Sequence, residues 1–380
     1  MGLVVQKFGG TSVSTKERRR QAMAKIIRER EAGNDVVAVV SAMGRRGDPY
    51  ATDTFLDMLS DISPRTSART KDLLAGCGET IAACLVAEEL AAAGYPAVPV
   101  TGLQAGIRTD SRFTDGLVQK VEVGYIKEVL ARGAVAIVTG FQGYDENMDL
   151  VTLGRGGSDI TAIVLGGALE AEGVVIFTDV PGIAFTDPRL VPSAPFLSAI
   201  GFLPMHVLAT TGAKVVHPRA ISAAIRFDRP FWVRSTFDDE AGTLIGQSGE
   251  APGGLYGISL MSDVYLASVC CGGQSRLAAL SCNEWFYKLQ GEAEVAIIDK
   301  AAAEDTAVGI VEDLREVGVV TLQWALDSGF LPEAVTGTLE AQGIKVEETF
   351  VLPGGGAWAV DPDKARDAVL VLYRTPLQRH

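Results

Sequence analysis
The chain opens with an apolar run around Val4-Val5 that stops at a lone lysine, Lys7, and enters Gly9-Gly10 and a hydroxyl pair, Thr11-Ser12. β-Branched residues suit a buried strand and paired glycines end one, which puts Lys7 at a strand end beside a tight loop. Ser14-Thr15-Lys16-Glu17 then has capping-box spacing and starts a helix that ends near Gly33, followed by a valine-rich strand at 35–41. The same alternation continues. It predicts a helix after Gly78, short strands near Ala97 and at 134–139, a helix after Ser158, a strand at 174–178, helices around His206 and Pro218, and a strand at 231–234. Strands separated by helical segments in this way predict an α/β fold, a mainly parallel sheet sandwiched by helices.

The pattern changes at Gln247-Ser-Gly-Glu-Ala-Pro-Gly-Gly254, a small-residue linker that bounds a first domain at 1–246. Beyond it, 318–380 reads as strand 318–326, helix 330–341, strands 345–352 and 357–360, and helix 363–373, a small βαββα sandwich. The preceding unit, 255–317, is harder to divide and is expected to end in a helix over 301–315.

Composition narrows the function. A chain of 380 residues with 47% hydrophobic positions buries substantial cores. Its 47 acidic against 34 basic side chains give a formal charge of −13, which works against general affinity for nucleic acid or anionic lipid, so an anionic substrate needs a local cluster of cations. The N-terminus lacks a basic-then-apolar leader pattern and no apolar run spans a bilayer, so a cytoplasmic protein without membrane attachment is expected. Five cysteines without CxxC spacing read as small buried apolar residues.

Walker A spacing is absent, and Gly154-Arg155-Gly156-Gly157-Ser158-Asp159 departs from the dinucleotide fingerprint by ending in aspartate, which repels a pyrophosphate. Its glycines let backbone N–H groups approach an anion, Ser158 is placed to cap the next helix, and Arg155 supplies a forked donor for a carboxylate. The same residues would also serve as an ordinary helix-start turn with a solvated arginine.

Eight blocks occur in order: KFGGTS (7–12), VVSAMG (39–44), CGE (77–79), GFQG (140–143), TLGRGGSD (152–159), FTDVPGI (177–183), DPR (187–189) and GAKVVHPRA (212–220). Together they resemble the aspartokinases of the amino-acid kinase superfamily over residues 3–245. SAMGRRGDPYATD (41–53) looks most like the aspartokinase I type of spore-forming bacteria. The resemblance implies ATP- and Mg²⁺-dependent phosphorylation of the L-aspartate β-carboxylate, the first step towards lysine and diaminopimelate, threonine and methionine. It assigns Lys7 and Asp159 to catalysis, with Asp159 holding Lys7, and Gly9, Gly10 and Thr11 to the phosphates. Ser41, Glu79, Phe141, Arg155 and Ser158 fall on the substrate side, Glu79 taking the aspartate ammonium and Arg155 its α-carboxylate. Thr178, Asp179, Arg189 and Lys214 fall to the nucleotide. No cluster of carboxylates or histidines suggests a built-in metal cage.

Three positions depart from the family pattern: Ala184 where many members have tyrosine, Gly47 in place of a threonine, and Pro204 in place of a glutamate, in a helix where proline fits only the first turn. The tail resembles a shortened pair of ACT domains in which Phe330-Leu331-Pro332 replaces the usual effector-binding turn. Dimer packing is its expected role. The rival readings are an amino-acid kinase for a different acid and a catalytically weak regulatory protein.

Overall fold
The structure is a computed structural model and describes residues 2–246, 254–270, 277–278, 281–282, 284–290, 293–306, 313–325 and 329–375. It divides into two compact units, residues 1–183 with 215–247 and residues 184–214 with 248–380.

In the first unit β1 (Leu3–Phe8) is followed by the short α1 (Gly10–Val13), α2 (Lys16–Glu31) and β2 (Asp35–Val40). Next come α3 (Thr52–Ile62), α4 (Ala68–Ala75), α5 (Cys77–Ala92), β3 (Ala97–Val100), β4 (Ile107–Thr109), β5 (Val118–Val121), α6 (Gly124–Ala131) and β6 (Val135–Thr139). Then follow β7 (Gln142–Tyr144), β8 (Leu150–Thr152), α7 (Gly157–Ala168) and β9 (Gly173–Thr178). After β10 (Ala199–Gly201) and α8 (Phe202–Thr210) of the second unit, α9 (Pro218–Arg226), β11 (Phe231–Ser235) and β12 (Thr243–Gly246) complete the first.

Its main sheet runs β12-β11-β9-β1-β2-β6-β3, parallel except where β12 meets β11. The expected parallel sheet is therefore present. The chain builds outward from β1 through β2 and later returns to its other side with β9, so the end of β1 lies where strand order reverses, the usual place for a ligand in such sheets. Val4 and Phe8 on β1 pack into a core with Ala22, Met23 and Ile26 of α2, and Phe8 stacks on Phe177 with ring centres 5.1 Å apart. The helix start differs from the sequence reading: Thr15 caps α2 by accepting from the Arg18 N–H, while the Ser14 hydroxyl donates to the Thr11 carbonyl. A second, four-stranded sheet in the order β5-β4-β7-β8 was not anticipated, because three- and four-residue strands carry too little alternation to read.

The second unit is built on an antiparallel sheet of β13 (Leu255–Cys270), β14 (Tyr287–Gln290), β15 (Ala293–Asp299), β16 (Asp313–Trp324), β17 (Val346–Leu352) and β18 (Gly355–Val360), in the order β14-β15-β13-β16-β18-β17. α10 (Lys300–Thr306), α11 (Pro332–Ala341) and α12 (Ala365–Arg374) accompany it. The helix expected over 301–315 ends earlier, and Asp313, Leu314 and Arg315 are instead strand residues paired with β13. The expected division at 317/318 falls inside β16. Residues 184–214, counted in the first domain by the sequence, group with this unit: Phe185 and Leu190 pack on its core and the Thr211 hydroxyl lies 2.7 Å from that of Ser259. Pro204 is the third residue of α8, inside the first turn as its chemistry requires. The linker residues 247–253 and the end of the strand expected over 318–326 lie outside the described residues.

The cysteine expectation needs correction. Cys77 and Cys84 are exposed and Cys282 is half-buried. The first two are seven residues apart on one outward face of α5. Cys271 and the Cys270 side chain lie outside the described residues.

Candidate active site
A cavity of about 310 Å³ opens in the first unit where β1 and β2 end, with the starts of α5 and α7 on its walls. Lys7, one residue before the end of β1, reaches Asp159 in the first turn of α7, Nζ to Oδ1 2.6 Å. Both side chains are nearly enclosed, 12% and 11% exposed, so the pair works at low dielectric, and the helix N-terminus adds positive potential at the carboxylate.

Glu79 is the third residue of α5 and only 2% exposed. Its Oε1 accepts from the Ala42 N–H at 3.0 Å, while Oε2 is buried without a hydrogen-bond partner. Burial pushes its carboxyl pKa up to about 8, against the smaller opposing pull of the Ala42 N–H. An orphaned acid oxygen in a cavity wall is poised for a cationic donor. Arg155, exposed on the glycine loop, lines the same cavity and makes no hydrogen bond or ion pair among the described residues.

The glycines have specific geometric reasons. A Cβ on Gly10 would sit 2.6 Å from the Ala42 carbonyl oxygen, and the Gly44 N–H donates to the Gly10 carbonyl at 3.0 Å, so Gly10 lets the 41–44 loop close against α1. Gly156 has φ +73° and a Cβ there would meet the His217 Cβ at 2.6 Å. Gly156, not a side chain, caps α7; Ser158, expected to cap it, instead lies buried in the first turn, where a Cβ on Gly140 would meet its hydroxyl at 2.6 Å. Phe141 lines the cavity with φ +70°, an unfavourable conformation for a bulky residue, held by the Thr161 hydroxyl accepting from its N–H at 3.1 Å. Gly47, also with positive φ (+95°), occupies a position where a β-branched threonine would be strained.

The cavity therefore gathers Lys7, Gly10, Ser41, Glu79, Phe141, Arg155, Ser158 and Asp159. Gly9 and Thr11 do not line it: the Gly9 N–H is directed at the Phe177 carbonyl, 3.3 Å away, and the Thr11 carbonyl accepts from Arg18. Thr178 ends β9 and its hydroxyl donates to Asp179, which in turn pairs with Arg45 at 3.0 Å. Arg189 and Lys214 belong to the second unit, where Arg189 is bound to Asp187, Nη2 to Oδ2 2.6 Å, and lowers that carboxyl's pKa mainly through this bond. The sequence reading gave no role to Arg45, Thr52 and Asp53, which also line the cavity, although all three lie within the 41–53 block. Among the described residues no group of three or more His, Cys, Asp or Glu is placed to hold a metal ion, and no helix is long and apolar enough to cross a membrane.

Residues 2–235 match the sequence model of the amino acid kinase family. The chain belongs to the amino acid kinase family. Within that family it is similar to aspartokinase 2 and aspartokinase 1 of Bacillus subtilis, 44% and 43% identical over 245 residues, 64% of this chain. Those matches span 59% and 61% of the two relatives' lengths and do not separate one type from the other. The fold is similar to the crystal structure of E. coli aspartokinase III in complex with aspartate and ADP, with a TM-score of 0.77 at 23% identity, over 98% of this chain and 99% of that one. The family's sheet sandwiched by helices and the ACT-like antiparallel sheet of the tail are thus the architecture expected from the sequence.

Proposed function
We propose that the chain is an aspartate kinase, transferring the γ-phosphoryl group of ATP to the β-carboxylate of L-aspartate and giving 4-phospho-L-aspartate and ADP. The observation that carries this is the charge arrangement in one cavity: an unpaired guanidinium at Arg155, a partnerless carboxyl oxygen at Glu79, and the enclosed Lys7–Asp159 pair. Arg155 suits the α-carboxylate of a free amino acid and Glu79 its ammonium, which leaves the side-chain carboxylate for Lys7. A β-carboxylate oxygen forms the new bond to phosphorus as the bond to the ADP oxygen breaks, and the Lys7 ammonium, oriented by Asp159, offsets charge on the transferring group. The names of the aligned Bacillus relatives support the choice of aspartate.

Mg²⁺ would supply charge screening between the β- and γ-phosphates and would arrive as an ion carried by the nucleotide, the described residues offering no group of three or more His, Cys, Asp or Glu to hold it. The nucleotide roles of Thr178, Asp179, Arg189 and Lys214 rest on the sequence pattern. A cytoplasmic homodimer joined through the tail, serving amino-acid biosynthesis, completes the proposal. The test is coupled ADP release with L-aspartate, L-glutamate, N-acetyl-L-aspartate and succinate at saturating MgATP. Turnover with aspartate alone is expected, because the other acids alter the chain length or the ammonium that Glu79 would meet. Equal turnover with succinate would overturn the assignment.

A further inference from the structure
The first unit holds a second cavity, of about 210 Å³, which shares no lining residue with the first. Lys25 and Arg28 of α2 and Arg234 of β11 bring three cationic heads to its wall, faced by Asp238, Asp239 and Glu240. The Lys25 ammonium donates to the Asp238 carbonyl at 2.6 Å and to Asp239 Oδ1 at 2.7 Å, and Arg28 Nη1 donates to the same Oδ1 at 3.0 Å. Two cations thus converge on one carboxylate oxygen, whose side chain is 77% exposed. The Asp238 carboxylate is occupied within its own turn, accepting from the Glu240 N–H.

Among the described residues Arg234 has no such partner. Its guanidinium lies over the Trp232 ring, 4.7 Å from the centroid, and its Nε is buried without a hydrogen bond. Arginine stays charged whatever its surroundings, so this is an unmet donor on a permanent cation, a costly arrangement for a folded chain. The ring covers the guanidinium at the distance of a cation–π contact, and the forked in-plane donors of a guanidinium suit a multi-oxygen anion.

We propose that this cavity is an oxyanion site for inorganic phosphate or a phosphate monoester, with Asp239 as a built-in occupant that the ligand displaces. Lys25 and Arg28 hold the anion in place of the aspartate and Arg234 supplies the donor that Asp239 does not satisfy. Because Asp239 sits mostly in solvent, moving it aside exposes little new surface.

The experiment is calorimetric titration of the full chain with inorganic phosphate and, separately, with glycerol 3-phosphate, each against chloride at matched ionic strength. An Arg155→Gln background removes the cation that stands unpaired among the described residues of the first cavity. Saturable binding is expected, tightened about threefold or more by Asp239→Asn and weakened about tenfold by Arg234→Gln, the loss of a charge-assisted contact. Tighter binding of glycerol 3-phosphate would identify a monoester site, and binding of inorganic phosphate alone a free-phosphate site. Absence of saturable binding by both, or affinities indifferent to Asp239→Asn, would overturn the proposal, and that exposed substitution decides even if Arg234→Gln does not fold.

Discussion
If Glu79 receives the substrate ammonium as proposed, amino-acid binding should depend steeply on pH. With a pKa raised to about 8 by burial, about a tenth of Glu79 is ionised at pH 7. An incoming ammonium requires the carboxylate, so the apparent dissociation constant for aspartate scales with one plus the ratio of protonated to ionised Glu79. That factor is about 100 at pH 6 and about 2 at pH 8, a tightening of about fiftyfold across the interval. Calorimetry at pH 7 in buffers of different ionisation enthalpy should detect about 0.9 proton released per aspartate bound. Glu79→Gln should bind weakly with a flat pH profile. The unliganded chain carries the opposite signature: a carboxyl whose folded pKa lies above its unfolded value stabilises fully below about 4.5, and that contribution, on the order of 5 kcal/mol, is lost as pH rises towards 8. An aspartate affinity that changes less than about threefold between pH 6 and 8, with no proton released, would refute this account of Glu79.

Lys7→Ala should lower turnover by about a hundredfold or more and also lower the melting temperature, because it strands the Asp159 carboxylate in an enclosed site; near-normal kcat would remove Lys7 from the chemistry. Arg155→Lys should raise the KM for aspartate well beyond that for ATP, since lysine keeps the charge but loses the fork, and a shift confined to the ATP KM would move Arg155 to the nucleotide. Gly10→Ala should reduce both activity and thermal stability, by about 1–3 kcal/mol, as the new methyl is driven onto the Ala42 carbonyl; an unchanged melt would show that the 41–44 loop yields freely. Lysine, threonine and diaminopimelate at millimolar concentration should inhibit weakly or not at all, because Phe330 is buried against Trp324 where an effector turn was expected; cooperative inhibition in the steady-state assay would overturn this.

The parts of the site carried by local pattern were readable in the sequence. Lys7 at a strand end follows from β-branched residues meeting a glycine pair, and the glycine loop before α7 follows from residues that must adopt positive φ. The sequence assigns Gly10 to the phosphates but does not report that its lack of a side chain is also demanded by a loop more than thirty residues away, which no local pattern encodes. The Thr15 cap was misread by one residue because Ser14 and Thr15 are chemically near-equivalent, and only the Ser14 bond to Thr11 separates them. Of the Phe330-Leu331-Pro332 segment that stands in place of the effector-binding turn, Phe330 is buried and Leu331 exposed, a difference that their shared bulk and apolarity do not report. The grouping of 184–214 with the second unit depends on Phe185, Leu190 and Thr211 finding partners beyond residue 254, a tertiary choice that periodicity does not report.

The pairing of β13 with β16 bears on whether this tail can be divided. β13 holds β16 along most of its length and β15 along its second half, while β16 passes its other edge to β18. Strands from 255–317 and 318–380 are therefore each other's hydrogen-bond partners, and β16 itself straddles the point where two modules would be separated. A deletion of either stretch would leave the survivor with open strand edges, an invitation to aggregate. The two stretches therefore act as one folding unit, and removing either should cost the other its soluble, folded form.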